Sequence, residues 1–143
     1  MPVHGKPSLV YHKNKKARSF KKAGLTVLVL IFLVAGANHF LNPESYRKII
    51  PQYFPYPTTL VYVSGLFEII FGLLLIPAST RKMAAWGIIL LLVAVFPANI
   101  QMMLNYQQED RPYAWVTIVR LPVQALLIWW ASVYVRSYPG TGE

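Results

Sequence analysis

Six polar side chains interrupt otherwise apolar stretches of this sequence, and these are the residues with which it could do chemistry. They are Asn38, His39, Glu68, Asn99, Arg120 and Gln124. Glu68 is the only charged residue between Ile49 and Thr80. A charged side chain at the centre of a bilayer costs roughly 2.5 to 3.5 kcal/mol, so it normally faces protein or a water-filled cavity. Arg120 is the other charge inside an apolar run and is the expected partner of Glu68.

This set permits ion pairing, hydrogen bonding and proton transfer, and two interpretations of it are open. In the first, Glu68 and Arg120 form a buried ion pair that only fixes the register of the helices, with neighbouring amides as hydrogen-bond donors. In the second, they build a site that binds a small head group or carries protons, because ionisable residues within a membrane are functional candidates by default. His39 could exchange protons near neutral pH or act as a hydrogen-bonding group at the interface.

The elements that carry these residues are four charge-poor segments. The chain has 143 residues, of which 55% are hydrophobic and 13% are charged. Each segment has about 20 residues, enough to cross the roughly 30 Å of hydrocarbon in a bilayer. The segments are Ala23–Leu41, Thr58–Pro77, Met83–Leu104 and Tyr113–Val135. Because the last two connections are short, the sequence predicts an all-α membrane protein, a four-helix transmembrane bundle with up-down-up-down topology.

The chain therefore divides into a basic tail (1–22), a four-helix membrane domain (23–135) and a C-terminal tail (136–143). The N-terminal tail has no sustained apolar face, and we expect it to be flexible in isolation. Between the first two spans, an Asn-Pro-Glu sequence predicts a short interfacial helix over Pro43–Ile50, with Asn42 as its cap.

Basic residues are distributed unequally between the two sides of the predicted bundle. Three lie on one side, namely Arg47, Lys48 and Arg111, and ten lie on the other: Lys6, Lys13, Lys15, Lys16, Arg18, Lys21, Lys22, Arg81, Lys82 and Arg136. The positive-inside rule then places both termini of this multi-pass protein in the cytoplasm. The net charge of +9 fits an anionic membrane surface and predicts no nucleic-acid partner.

Helical periodicity brings the polar residues onto shared faces. On the second span, Ser64, Glu68 and Gly72 recur every four residues, and on the fourth span Arg120 and Gln124 do the same. Counted from the outer end of each span, His39, Asn99, Arg120, Glu68 and Gln124 lie at depths between about 3 and 18 Å. The sequence therefore predicts a polar layer in the outer part of the bundle.

Two prolines lie inside spans three and four, close to this layer. Pro97 and Pro122 each remove a backbone donor and free a carbonyl one turn earlier, at Val93 and Ile118. The resulting kinks could open a small polar pocket, or they could be ordinary packing features of membrane helices.

Several chemistries lack the residues they need. The chain has no cysteine, which excludes disulfides and thiol redox chemistry on its own residues. Two of its three histidines fall in the N-terminal tail and His39 stands alone, so no metal site is expected. Serine-hydrolase and P-loop motifs are absent as well. These absences favour a protein that is not an enzyme on its own.

The sequence resembles the DoxX-like family of small four-helix bacterial membrane proteins. The elements that carry the resemblance occur in order between Val34 and Trp130, and they read NHF, SGLFEI, FPANI and RLPVQ. The resemblance implies an inner-membrane location. It also implies that the family's polar motifs fall on the six residues named at the outset.

Three functions are compatible with this resemblance. The first is an accessory or membrane subunit with a polar intramembrane pocket around Glu68 and Arg120, embedded in the lipid bilayer and serving a partner membrane or redox subunit. The second is a quinone-interacting subunit of an oxidoreductase, in which His39 or Glu68 handles protons. There, Arg120 or Asn99 would bind a quinone carbonyl, with quinone as the possible cofactor. The third is a transporter of small solutes or lipids.

Overall fold

The protein is built from four long helices and one short one. The computed structural model describes residues 8–109 and 114–136, with side chains described from Lys16 onward. The helices are α1 (Ser8–Leu41), α2 (Pro43–Arg47), α3 (Pro57–Leu74), α4 (Ala78–Gln108) and α5 (Ala114–Arg136). The described ranges contain no strand, and four of their helices are long and apolar enough to cross a membrane. The predicted all-α four-helix bundle is therefore confirmed.

Large apolar side chains remain exposed on all four long helices. They include Leu30, Val34, Leu66, Leu73, Leu90, Val93, Leu126 and Trp129. Soluble monomers rarely expose contiguous apolar surface of this extent. Helices packed in a bilayer leave such side chains in contact with lipid tails. The exposed surface thus supports a multi-pass membrane protein.

The first helix is longer than the sequence predicted. It begins at Ser8 and runs for 34 residues, which corresponds to about 51 Å at ~1.5 Å per residue. Residues 8–22 are helical and continue the helix of the first span, while the flexibility expected of the tail stays a prediction. Residues 1–7, and the C-terminal tail beyond Arg136, lie outside the described residues.

The short helix α2 follows α1 almost directly and ends at Arg47, before the predicted Ile50. Asn42 precedes it, but its side chain makes no capping hydrogen bond. Asn42 holds the predicted N-cap position, but its side chain instead donates to Oδ1 of Asn38 over 2.7 Å. On the exposed face of α2, Arg47 donates to Glu44 over 2.8 Å, which lowers the pKa of that carboxyl.

The long helices pack side by side in the order in which they follow one another in the chain, with α1 against α3, α3 against α4 and α4 against α5. The turn between α3 and α4 is held by Arg81, which donates to the carbonyls of Leu75 and Ile76 over 2.8 and 2.7 Å. These bonds satisfy carbonyls that the end of a helix leaves without a partner. Between α1 and α5, the Tyr134 hydroxyl donates to the Lys21 carbonyl over 3.2 Å. The four long helices thereby close into a bundle.

The two ends of the bundle differ in content. The end near the described chain ends, which we call the termini half, holds the buried apolar core: Leu28, Val29, Phe32, Leu75, Ala84, Ala85, Ile88, Leu92, Ala131 and Tyr134. The other end, which we call the α2 half, holds the buried polar side chains His39, Glu68, Thr117 and Gln124. The apolar core fixes the helices at one end and leaves the polar residues together at the other.

Candidate functional site

A cavity of about 550 Å³ occupies the α2 half of the bundle, and all five helices contribute to its wall. Most lining side chains are apolar. The polar ones are His39, Tyr46, Ser64, Glu68, Asn99, Arg120 and Gln124. Five of the six residues singled out from the sequence therefore face one cavity. The sixth, Asn38, lies beside it and contacts the lining residue Tyr46.

Glu68 is the acid among the described residues that line this cavity. The residue is only 7% exposed, and its Oε2 lies 3.4 Å from Nδ1 of His39. The same Nδ1 lies 2.9 Å from the carbonyl oxygen of Ala35. Because a carbonyl can only accept, Nδ1 carries a hydrogen and donates it to Ala35. Oε2 of Glu68 has no hydrogen-bond partner, so it lies close to His39 without accepting a hydrogen bond from it.

Arg120 does not pair directly with Glu68, which corrects the expectation from the sequence. The ion pairs of the described side chains are His39 with Glu68 and Arg47 with Glu44. Nη1 of Arg120 instead donates to Sδ of Met102 over 3.3 Å. A thioether is a weak acceptor, so this contact leaves most of the donor capacity of the guanidinium unused.

The reason for this arrangement is the close approach of α1 and α3. A methyl group at Gly65 would lie 2.6 Å from Cβ of His39 and 2.9 Å from the carbonyl oxygen of Gly36. A methyl group at Gly36 would lie 2.7 Å from the Gly65 carbonyl and 3.1 Å from Cβ of Glu68. Two facing glycines thus let the backbones touch, as small residues do in membrane bundles. This approach sets His39 beside Glu68, whereas Arg120 is carried by α5, which packs mainly against α4.

Gln124 joins α5 to α4 through two hydrogen bonds. The residue is 3% exposed. Its Oε1 accepts from Nδ2 of Asn99 over 2.8 Å, and its Nε2 donates to the carbonyl of Leu92. The carbonyl predicted to be freed by Pro97 is that of Val93, so Gln124 bonds one residue before it. Both ends of the Gln124 carboxamide are therefore bonded within the protein, and its contact with Asn99 holds both side chains in the wall.

Tyr46 on α2 is a lining residue that sequence reasoning missed. Its ring stacks on His39 with a centroid distance of 3.9 Å, and its hydroxyl accepts from Nδ2 of Asn38 over 2.6 Å. The segment that follows α2 also covers the cavity, since Ile49 and Pro51 are buried and line it. The signal available in the sequence was a tyrosine on the short helix that immediately follows the span carrying His39.

The described part of the chain contains no group of three or more His, Asp or Glu side chains that could hold a metal ion. The candidate site is a cavity with a mostly apolar wall that carries one acid (Glu68), one guanidinium (Arg120) and one imidazole (His39).

A family described as "Domain of unknown function (DUF8561)" matches residues 28–135. The chain belongs to this family. No curated protein and no solved structure matches the chain.

The DUF8561 match begins within α1 and ends within the last turn of α5. It therefore contains every residue that lines the cavity. The part of α1 before Leu28 lies outside the matched region. The cavity thus belongs to the family domain, and the basic first half of α1 is additional to it.

Proposed function

We propose that this DUF8561 protein is a DoxX-like accessory membrane subunit that binds a small amphipathic ligand in the cavity of its α2 half. It lies in the bacterial inner membrane with both termini in the cytoplasm and serves a partner membrane protein. The single observation that carries the binding proposal is Glu68, an acid that lines the cavity and whose buried Oε2 has no hydrogen-bond donor.

Energetics supports this assignment. A buried polar atom without a partner costs about 1 to 3 kcal/mol, and more when it is charged. Arg120 lines the same cavity and donates to a thioether sulfur. A ligand whose head group reaches both side chains would gain charge-assisted hydrogen bonds that the protein does not form internally.

Size and wall composition agree with a small ligand. Pockets that bind small molecules have volumes of about 300 to 1,000 Å³, and mostly apolar walls carry a few polar groups that orient the ligand. The cavity of about 550 Å³ falls in this range. Its polar groups do not include a nucleophile placed beside a base, which favours binding on behalf of a partner over catalysis by this chain.

Mass spectrometry of what co-purifies with the protein tests the binding proposal. We expect a small molecule to co-purify with the wild type from native membranes and to be lost from Glu68→Gln and Arg120→Met. Glu44→Gln and Arg47→Met are matched controls, because that pair lies on the exposed face of α2, outside the cavity. An identical set of bound molecules in all five proteins would refute the proposal.

Labelling of single cysteines tests the orientation, since the natural chain has none. Tyr53, in the connection after α2, and Lys82, in the first turns of α4, are exposed and lie at opposite ends of the bundle. In spheroplasts, a membrane-impermeant maleimide should label Tyr53→Cys at once and Lys82→Cys only after lysis. The reverse pattern would place the termini outside the cytoplasm.

A second candidate ligand is a quinone, favoured by the position of His39 beside Glu68 and by the donors of Arg120. In that case Arg120 would hold a quinone carbonyl, and the His39–Glu68 pair would exchange protons with it. Asn99 fits this role less well, because its amide already donates to Gln124. Added ubiquinone should then raise the thermal midpoint of the wild type but not of Arg120→Met, and equal shifts in both would argue against it.

A further inference from the structure

The charged residues of the cavity limit which head groups a ligand can have. Glu68 and Arg120 are the lining residues with opposite formal charges, and these two charges sum to zero. They do not form an ion pair with each other. The protein thus presents a charged hydrogen-bond acceptor on α3 and a charged hydrogen-bond donor on α5 at separate positions in one cavity.

Ligands of different charge would meet this pair differently. An anionic head group would form a charge-assisted hydrogen bond with Arg120 but be repelled by Glu68. A cationic head group would form one with Glu68 but be repelled by Arg120. An uncharged head group with both a donor and an acceptor can hydrogen-bond both residues without repulsion. Opposed charges of this kind select between partners by penalising the wrong one.

The rest of the wall defines the remainder of the ligand. Apolar side chains from α3, α4 and α5 surround the polar groups, including Leu60, Val63, Phe67, Leu91, Val95 and Leu127. The carboxamides of Asn99 and Gln124 bond each other and offer less to a ligand. The apolar wall therefore fits a hydrocarbon body, and Glu68 and Arg120 offer its head group the charged contacts, beside the Tyr46 hydroxyl and Nε2 of His39.

We infer that the ligand is an uncharged amphiphile whose head group carries both a hydrogen-bond donor and an acceptor, bound between the carboxylate of Glu68 and the guanidinium of Arg120. This inference rests on the proposed binding function and names the class of ligand for that site. A primary amide with an alkyl chain is the simplest such molecule, because its N–H can donate to Glu68 while its carbonyl accepts from Arg120.

Four probes with the same alkyl chain test the inference on the wild-type protein. Dodecanamide has a donor and an acceptor, N,N-dimethyldodecanamide has only the acceptor, dodecanesulfonate is an anion and dodecylammonium is a cation. Binding is measured by calorimetry with the protein in phosphatidylcholine nanodiscs, because the phosphocholine head group has no hydrogen-bond donor. We expect dodecanamide to bind about tenfold or more tightly than each of the other three, since each loses one charge-assisted hydrogen bond or meets a like charge.

Two variants of similar side-chain length should reverse the preference. Glu68→Met leaves Arg120 alone in the cavity and should favour dodecanesulfonate. Arg120→Met leaves Glu68 alone and should favour dodecylammonium. Glu44→Met and Arg47→Met are the controls outside the cavity, and they should keep the wild-type order of the four probes.

The outcomes distinguish a wrong class of ligand from the absence of a binding site. A charged probe that binds the wild type best, or a dimethylated amide that binds as well as the primary amide, would overturn the inference and leave the binding site standing. Absence of binding by all four probes to the wild type would overturn the proposed binding function itself. If one variant does not fold, the wild-type series still decides between these outcomes.

Discussion

The close contact between Gly36 and Gly65 leads us to predict how Gly65→Ala changes the stability of the folded protein. The substitution Gly65→Ala adds one methyl group at a position 2.6 Å from Cβ of His39. Its other close neighbour is the carbonyl oxygen of Gly36, at 2.9 Å. Neither neighbour is the free end of a flexible side chain, so α1 must move away from α3 to admit the methyl group. The movement also carries His39 away from Glu68.

The size of the effect follows from two opposing contributions. Overpacking of a well-packed interior by a methyl group costs typically about 1 to 3 kcal/mol. Replacing glycine by alanine inside a helix returns up to about 1 kcal/mol through backbone propensity. Because both approaches at Gly65 are shorter than 3 Å, the upper end of the overpacking cost applies, and we expect a net loss of about 2 kcal/mol. At roughly 3 °C per kcal/mol for a chain of this size, the thermal midpoint should fall by several degrees.

Gly72→Ala is the matched control on the same helix pair. A methyl group there would lie 3.3 Å from Cβ of Phe32 and 3.4 Å from Cδ2 of Leu33, a much milder approach. Thermal unfolding in detergent, followed by near-ultraviolet circular dichroism, should rank Gly65→Ala well below Gly72→Ala and the wild type. Equal midpoints for the two variants, or a stabilised Gly65→Ala, would refute the argument that a backbone contact at Gly65 sets the spacing of α1 and α3.

Three further substitutions test individual hydrogen bonds. Tyr46→Phe keeps an aromatic ring against the cavity but removes the acceptor for Asn38, and it should lower the free energy of unfolding by about 1 kcal/mol. Gln124→Leu leaves the partly buried amide of Asn99 without its acceptor, and it should cost about 1 to 3 kcal/mol. Arg81→Met removes donors from the carbonyls at the end of α3, and it should cost about 1 kcal/mol or more. Each loss is measured as a shift in thermal or denaturant unfolding in detergent.

Each of these substitutions has a control of the same chemistry at an exposed position. Tyr53→Phe, Gln107→Leu and Lys82→Met change the same or a similar side chain outside the contacts described above, and all three positions are exposed. These controls should leave the unfolding midpoint close to that of the wild type. A control that destabilises as much as its partner would mean that the named hydrogen bond is not the cause.

The membrane helices were predictable because their signal is carried by each segment alone. A run of about 20 apolar residues without charge specifies a span regardless of what packs beside it. The second span illustrates this, since α3 begins at Pro57 where the sequence predicted Thr58. The helical start of α1 was not predictable in this way. Residues 8–22 are polar, and their helix continues from the span that follows them.

The pairing of polar residues was not predictable because it depends on how each helix is rotated. The predicted depths in the membrane and the predicted helix faces placed Glu68 opposite Arg120, and both residues do line one cavity. The partner in contact with Glu68 is nevertheless His39. That choice depends on Gly36 and Gly65, whose close approach is a property of the packed pair of helices and not of either sequence segment alone.

The separation of Glu68 from Arg120 bears on which of the two initial interpretations is better supported. A pair that serves only to fix helix register must be in contact, because a buried ion pair offsets its desolvation cost only through close, hydrogen-bonded geometry. Here register is specified without it, by the glycine contact between α1 and α3 and by Gln124 between α5 and α4. The cavity leaves the acid without a donor and the guanidinium on a weak acceptor. Two charged groups that are not needed for register, and that are not satisfied by each other, are better explained by a ligand that contacts both.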